Sequence, residues 1–217
     1  MLTLVIGDKN LSSWSLRPWI LLRHLGLPFN ELSLPLDTPR FRAEIGRWSP
    51  TGRVPVLLDG DLRVWDSIAI CEYVSELAGG AGWPRDAAVR AIARSISAEM
   101  HSGFAALRGT WPMQAASRHL DVPLTPQAGA DVARIDAIWS DCRARHGTRG
   151  PWLFGEQYTI ADAMYAPVVL RFVSYGATLT DRARGYVEHV LADAHLRDWI
   201  RGAEREIAAE GRPVEHP

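Results

Sequence analysis

The chain has 217 residues, 47% of them hydrophobic and 23% charged, with a formal net charge of -1. That balance belongs to a globular protein of one or two domains and excludes the strong field that would draw in nucleic acid or an anionic membrane. No apolar run approaches the length needed to cross a bilayer, and Met1-Leu2-Thr3-Leu4 leads into a strand pattern instead of a signal peptide, so a cytoplasmic location is expected. Leu2 to Gly7 reads as a buried strand, and Asp8 to Ser13 as a polar loop. Ser15-Leu16-Arg17-Pro18 then opens a helix with proline in its first turn, running to about Leu25 and stopped by Gly26. Pro28 to Leu36 is a second strand, placed at a sheet edge by Pro35. Arg40 to Trp48 is a short helix. After a turn at Pro50 and Gly52, Val54 to Leu58 forms a strand, Asp59-Gly60 a hairpin turn and Leu62 to Trp65 the returning strand. Asp66-Ser67 caps a helix over Ile68 to Leu77, whose Ile68, Cys71 and Val74 repeat at helical spacing. The order β-α-β-α-β-β-α makes a mixed four-stranded sheet with helices.

Gly79-Gly80-Ala81-Gly82-Trp83-Pro84 is the clearest linker, and the pattern beyond it is helical throughout. The expected division is residues 1–78, a linker at 79–85 and an all-helical domain at 86–217. Asp86 to Arg108 reads as one helix with Val89, Ile92, Ala93, Ile96 and Met100 on a single face. Thr125-Pro126 starts a helix to about His146. Thr159-Ile160-Ala161-Asp162, a variant of the capping box, starts another to about Ser174. Two more are expected over Asp181 to Ala192 and His195 to Ala209. Cys71 and Cys142 lie far apart inside helical patterns and read as buried thiols; the 7 histidines form no HxxxH pair, so no metal is expected. The 9 tryptophans suffice to line a pocket as well as a core.

Two stretches carry site chemistry. Pro55 sits near the start of an apolar strand, where it removes a ladder donor. Asp66-Ser67 puts a carboxylate, a hydroxyl and free backbone N–H groups at a helix N-terminus, which attracts a carboxylate or phosphate; simple capping is the alternative.

The chain resembles the glutathione transferase family over essentially its whole length. The resemblance rests on Ser12-Ser13-Trp14-Ser15-Leu16-Arg17, Arg53-Val54-Pro55, Asp66-Ser67 and Thr159-Ile160-Ala161-Asp162, in that order and at those separations. The first motif is similar to the serine-type site of zeta-like bacterial transferases, in which Ser-Ser-Cys precedes the first helix. This resemblance implies a thioredoxin-like α/β domain followed by an all-α bundle, glutathione as co-substrate without a metal, and a cytoplasmic homodimer engaged in detoxification. It implies that Val54, before a cis Pro55, pairs its backbone with the cysteinyl part of glutathione. Asp66 and Ser67 would hold the γ-glutamyl amino and carboxylate groups, and Arg53 would reach the other end of the peptide. Ser12 or Ser13 would donate a hydroxyl hydrogen bond to the sulfur. Motif alignment favours Ser12.

Lowering a thiol pKa by two units takes about 2.7 kcal/mol of anion stabilisation. The serine and the helix N-terminus would share this with Arg17, whose alternative role is an ion pair with Glu99. Trp14 stands where the zeta motif has cysteine, which disfavours cysteine-dependent reduction and maleylacetoacetate isomerisation. Trp14, Phe104 and Trp111 are candidates for the wall of a hydrophobic electrophile pocket between the domains. The expected reaction is conjugation of the thiolate to a hydrophobic electrophile. A glutathione-dependent isomerase and a non-catalytic ligand-binding protein of the same fold are the alternatives.

Overall fold

The computed structural model describes residues 1–209. Strand β1 (Leu2–Ile6) runs through the middle of the sheet, and Leu4, Val5 and Ile6 are fully buried. It pairs in parallel with β2 (Phe29–Ser33) and antiparallel with β3 (Val56–Asp59), and β3 pairs antiparallel with β4 (Leu62–Trp65), giving the order β2-β1-β3-β4. Residue alternation then sends side chains to opposite faces. Leu4, Ile6 and Leu57 join the main core with helices α1 (Ser13–His24) and α3 (Ser67–Leu77). Val5, Leu34 and Val56 form a smaller core with Ile45 of α2 (Pro39–Trp48). The hairpin turns at Asp59-Gly60, where Gly60 takes φ +58°, and Tyr73 of α3 donates to Asp59 at 2.8 Å.

The remaining described elements are helices: α4 (Ala87–Ser102), α5 (Ala105–Thr110), α6 (Pro126–Arg145), α7 (Ile160–Tyr175), α8 (Asp181–Ala192) and α9 (Ala194–Ala209). Together with the α/β sheet this is a thioredoxin-like domain followed by an all-α domain. Almost every residue of α7 is buried, so it is the axis of the helical part and packs on α1. Asp162 at its start accepts hydrogen bonds from Thr159 N–H (2.9 Å), Thr159 Oγ1 (2.8 Å), Leu153 N–H (3.0 Å) and Tyr186 OH (3.1 Å). Residues 210–217, the end of the expected second domain, lie outside the described residues.

Two expected helices differ. The first begins at Ser13, earlier than Ser15, so Pro18 falls beyond its first turn. The single helix expected over Asp86 to Arg108 is two. A Cβ on Gly103 would meet the Glu99 carbonyl at 2.7 Å, and Phe104 takes φ +55°, a left-handed conformation that ends the α-helical path. Chain direction changes there, and α5 resumes with its Leu107 N–H donating to Asp131 of α6 at 2.9 Å.

Candidate active site

Helix α3 begins under unusual local constraint. Its N-cap, Asp66, has φ +74° and ψ 134°, a backbone conformation that non-glycine residues rarely hold outside functional sites. Asp66 Oδ1 accepts the Ile68 N–H at 2.9 Å, while Oδ2 faces His101 Nε2 of α4 at 3.3 Å. Ser67 is buried beside it, and Arg17 donates to its hydroxyl at 3.4 Å. Across from this helix start, the Val54–Pro55 peptide is cis, and Val54 precedes the β3 ladder, which starts at Val56. The turn leading there is tied by Ser49 Oγ, which accepts from Thr51 N–H at 3.3 Å and Arg53 N–H at 3.1 Å.

These groups share one cavity of about 800 Å³, lined by Trp14, Thr51, Arg53, Val54, Pro55, Trp65, Asp66, Ser67, His101 and Arg108. It therefore brings together Trp14, Arg53, Val54, Pro55, Asp66 and Ser67, residues widely separated in the chain. Arg17 lies behind the wall, fully buried, with its guanidinium on the Trp14 ring at 4.1 Å. The expected ion-pair alternative does not form, because Glu99 is held instead by Arg134 at 2.7 and 2.9 Å. Burial, the largest cause, pushes the Arg17 pKa down to about 9; Arg108 and Arg171 push the same way, while Cys71 and Asp66 oppose. Arg17 stays charged at neutral pH, but its charge is held in an unfavourable place, and its Nε has no hydrogen-bond partner.

Besides Arg17, four candidates lie away from the cavity lining. Ser12 is buried and spends its hydroxyl proton on Ser15 Oγ at 2.7 Å, which also accepts the Gly7 N–H at 3.2 Å. Ser13 is buried and accepts from Arg171 at 3.3 Å. Phe104, expected at the pocket wall, is a core side chain at the break between α4 and α5. Trp111, expected beside it, lines a separate groove of about 640 Å³ near Tyr175, on which it stacks with ring centroids 5.2 Å apart. Its indole N–H is taken by the Val122 carbonyl at 2.8 Å, which fixes it there.

Sequence reasoning missed His101 and Arg108. The register of α4 puts His101 on the Asp66 side, where its ring meets Trp14 edge-on at 5.4 Å. Burial lowers its pKa, against the opposing pull of Asp66, so near neutral pH it is an uncharged neighbour of that carboxylate. The Gly103–Phe104 break turns α5 so that Arg108 reaches Trp14 at 5.4 Å. The thiols are no part of this: Cys71 and Cys142 are buried, and burial drives both pKa values up, that of Cys142 to about 12. Among the described residues no cluster of His, Cys, Asp or Glu could hold a metal ion, and no helix is long and apolar enough to cross a membrane.

Family models match both halves of this architecture: the glutathione S-transferase N-terminal domain over residues 11–77 and its C-terminal domain over residues 98–202. The chain belongs to the glutathione S-transferase family. Glutathione S-transferase GstB of Escherichia coli K12 is 27% identical over 174 residues, 72% of this chain and 80% of that protein. Dichloromethane dehalogenase of Methylorubrum extorquens is 38% identical over 60 residues, a stretch covering 27% of this chain and 21% of the dehalogenase. Among solved structures, a glutathione transferase homolog from Burkholderia with bound glutathione has a TM-score of 0.71 at 24% identity, covering 94% of this chain and 98% of that one. A maleyl pyruvate isomerase, described as a bacterial zeta-class transferase, has a TM-score of 0.71 at 22% identity, covering 93% and 97%. The transferase fold is thus shared from the first strand through the helical domain.

Proposed function

We propose that the cavity binds glutathione and that the protein transfers the glutathione thiolate to a small electrophile held against Trp14. One observation carries this reading: Asp66 and Ser67 at the start of α3, the Val54–Pro55 turn and Trp14 surround a single cavity. Glutathione presents one ammonium, two carboxylates and a thiol. Asp66 suits the ammonium, Ser67 with the α3 N-terminus suits the γ-glutamyl carboxylate, and the Val54 backbone, outside the sheet ladder, suits the cysteinyl amide. Arg53 supplies a cation for the second carboxylate.

The thiolate in this reading lies near the N-terminus of α1, with Arg17 supplying charge through the wall. Of the two serines, Ser13 has the better claim to donate to sulfur. Its oxygen already accepts from Arg171 and its proton has no acceptor among the described residues, whereas the Ser12 proton is committed to Ser15. Helix start, hydroxyl and guanidinium together are of the size needed for the roughly 2.7 kcal/mol that two pKa units require. Edge strand β4 exposes Leu62 and Trp65, which supports a homodimer as part of the same reading.

Titration of the ultraviolet absorbance of bound glutathione against pH tests this. The bound thiol is expected to ionise about two units below the free one, and Ser13→Ala to return part of the shift. If Ser12→Ala alone does so, the serine assignment is reversed. If neither variant does, activation rests on α1 and Arg17. Glutathione that binds with no pKa shift would leave a ligand-binding protein of transferase fold, and failure to bind would end the proposal.

A further inference from the structure

The cavity carries more positive charge than glutathione accounts for. Arg108 lines it, rests on Trp14, and forms no ion pair among the described residues. Its Nε is buried without a hydrogen-bond partner. Its charged surroundings are Arg17 on the same indole and Arg171 behind, both cations, with Asp66 across the cavity already facing His101. The guanidinium is placed through its backbone, by the α4–α5 break and by the Asp131 carboxylate that accepts the Leu107 N–H, and no ion pair to Arg108 itself is present among the described residues. Charges partly withdrawn from water are ordinarily paired, and a half-buried arginine fork with a partnerless buried Nε, like-charged with its neighbours and open to a cavity, lacks an anion.

We propose that Arg108 binds an anionic group, of the carboxylate class, on the electrophile, and that the substrates of this site are aromatic or unsaturated acids rather than wholly apolar molecules. This rests on the glutathione reading above. Trp14 supplies the flat apolar surface for the body of such a substrate, and Arg108 beside it receives the charged end. With a halogenated nitrobenzoate as electrophile, the thiolate sulfur attacks the ring carbon bearing chlorine. The carbon–sulfur bond forms, the carbon–chlorine bond breaks and chloride leaves with the electron pair. No proton is exchanged, because the attacking group is already the anion. The carboxylate takes no part in bond changes; Arg108 positions it. Burial and the neighbouring cation Arg108 hold Arg171 down to about 10, and Arg17 is lowered in the same way, so an anion bound at Arg108 would also ease the crowding of these two cations.

The test uses two stable conjugates of glutathione with a nitrophenyl ring, one bearing a carboxylate and the other a carboxamide in the same place. Calorimetric titration of the full chain with each, and with glutathione alone, reads binding without requiring turnover. The carboxylate conjugate is expected to bind about tenfold more tightly than the carboxamide, and Arg108→Gln to abolish that ratio while Arg108→Lys keeps part of it. Because the two ligands are compared on the same variant, a loss of folded protein cancels. Equal binding of the two conjugates to the wild type, or a preference that survives Arg108→Gln, overturns the anion subsite. If glutathione itself fails to bind, the glutathione reading falls and takes the subsite with it. If glutathione binds and only the ratio is absent, the subsite alone is wrong.

Discussion

Replacing Asp162 by alanine should be among the most damaging single changes in the helical domain. As an exposed capping pair, Thr159 and Asp162 would be worth about 0.5–2 kcal/mol. The structure gives the carboxylate more partners than a cap needs. Oδ2 accepts from the Thr159 N–H and hydroxyl, while Oδ1 accepts from the Leu153 N–H and the Tyr186 hydroxyl. All of this is buried, and Asp162 itself has no exposed surface. Alanine strands two backbone donors that cannot turn away and two hydroxyls that can only partly reorient. A buried donor left without a partner costs about 1–3 kcal/mol. Against this, alanine removes the cost of burying a carboxylate, large enough that the Asp162 pKa is raised in spite of four donors. The net expectation is a loss of about 3–4 kcal/mol in urea unfolding followed by circular dichroism, with the slope m unchanged. Asp162→Asn keeps the shape but turns an NH2 group toward a donor, so it should lose about 2 kcal/mol. A loss below about 1 kcal/mol for alanine would show that the donors find water or each other, and the account of how α7 is anchored would fail.

Two further outcomes follow from the same geometry. Ser67→Ala should weaken glutathione binding in calorimetry by about tenfold, since it removes a hydroxyl at a helix N-terminus that also receives Arg17. Unchanged affinity would remove Ser67 from the site. Acidification should lower stability progressively as pH falls below about 6.5, because burial holds the pKa values of His101, His189 and His195 below that ordinary histidine value. As pH falls the unfolded chain takes up these protons first, so stability is full above that value and is lost below it. His195→Asn should flatten the slope of unfolding free energy against pH, and a slope that stays the same would assign the loss to other groups.

Much of the α/β half was readable because its signals are local. Asp59-Gly60 requires only a turn, Asp66-Ser67 only a helix start, and the alternation of Leu4, Val5 and Ile6 only a strand buried on both faces. The helical half was harder where long-range contacts decide. Nothing in the residues around Gly103 announces that the Glu99 carbonyl will leave no room for a Cβ there, and an amphipathic pattern runs straight through the break. Arg108 depends wholly on that break for its direction, so its place in the cavity could not be read. Phe104 and Trp111 failed as pocket residues for a related reason. A large aromatic near glycine or proline suits a wall and a core equally, and for Trp111 the deciding partners are Tyr175 and Val122. The serines were placed by motif alone, and a motif cannot show which hydroxyl has already spent its proton.

The site's charges explain why it is built across both halves of the chain. Arg17 comes from α1 and Ser67 from α3, while His101 and Arg108 come from α4 and α5. Arg171 of α7 ties the helical half to the start of α1 through Ser13, and it also donates to the Trp111 carbonyl. Gathering Arg17 and Arg108 on one indole, with Arg171 behind them, beside the N-termini of α1 and α3 opposes folding, because burial and each neighbouring cation disfavour the charged forms of Arg17 and Arg171. An ordinary core would avoid such an arrangement or supply carboxylates, yet among the described residues the one carboxylate lining the cavity is Asp66, and it is turned toward His101. The repulsion is retained where anions would be bound: a peptide carboxylate at α3, a thiolate at α1 and, on the reading above, a substrate carboxylate at Arg108. Stability given up in the empty protein is then recovered when those anions bind, so affinity for anionic ligands and the energetic cost of the empty site have the same origin.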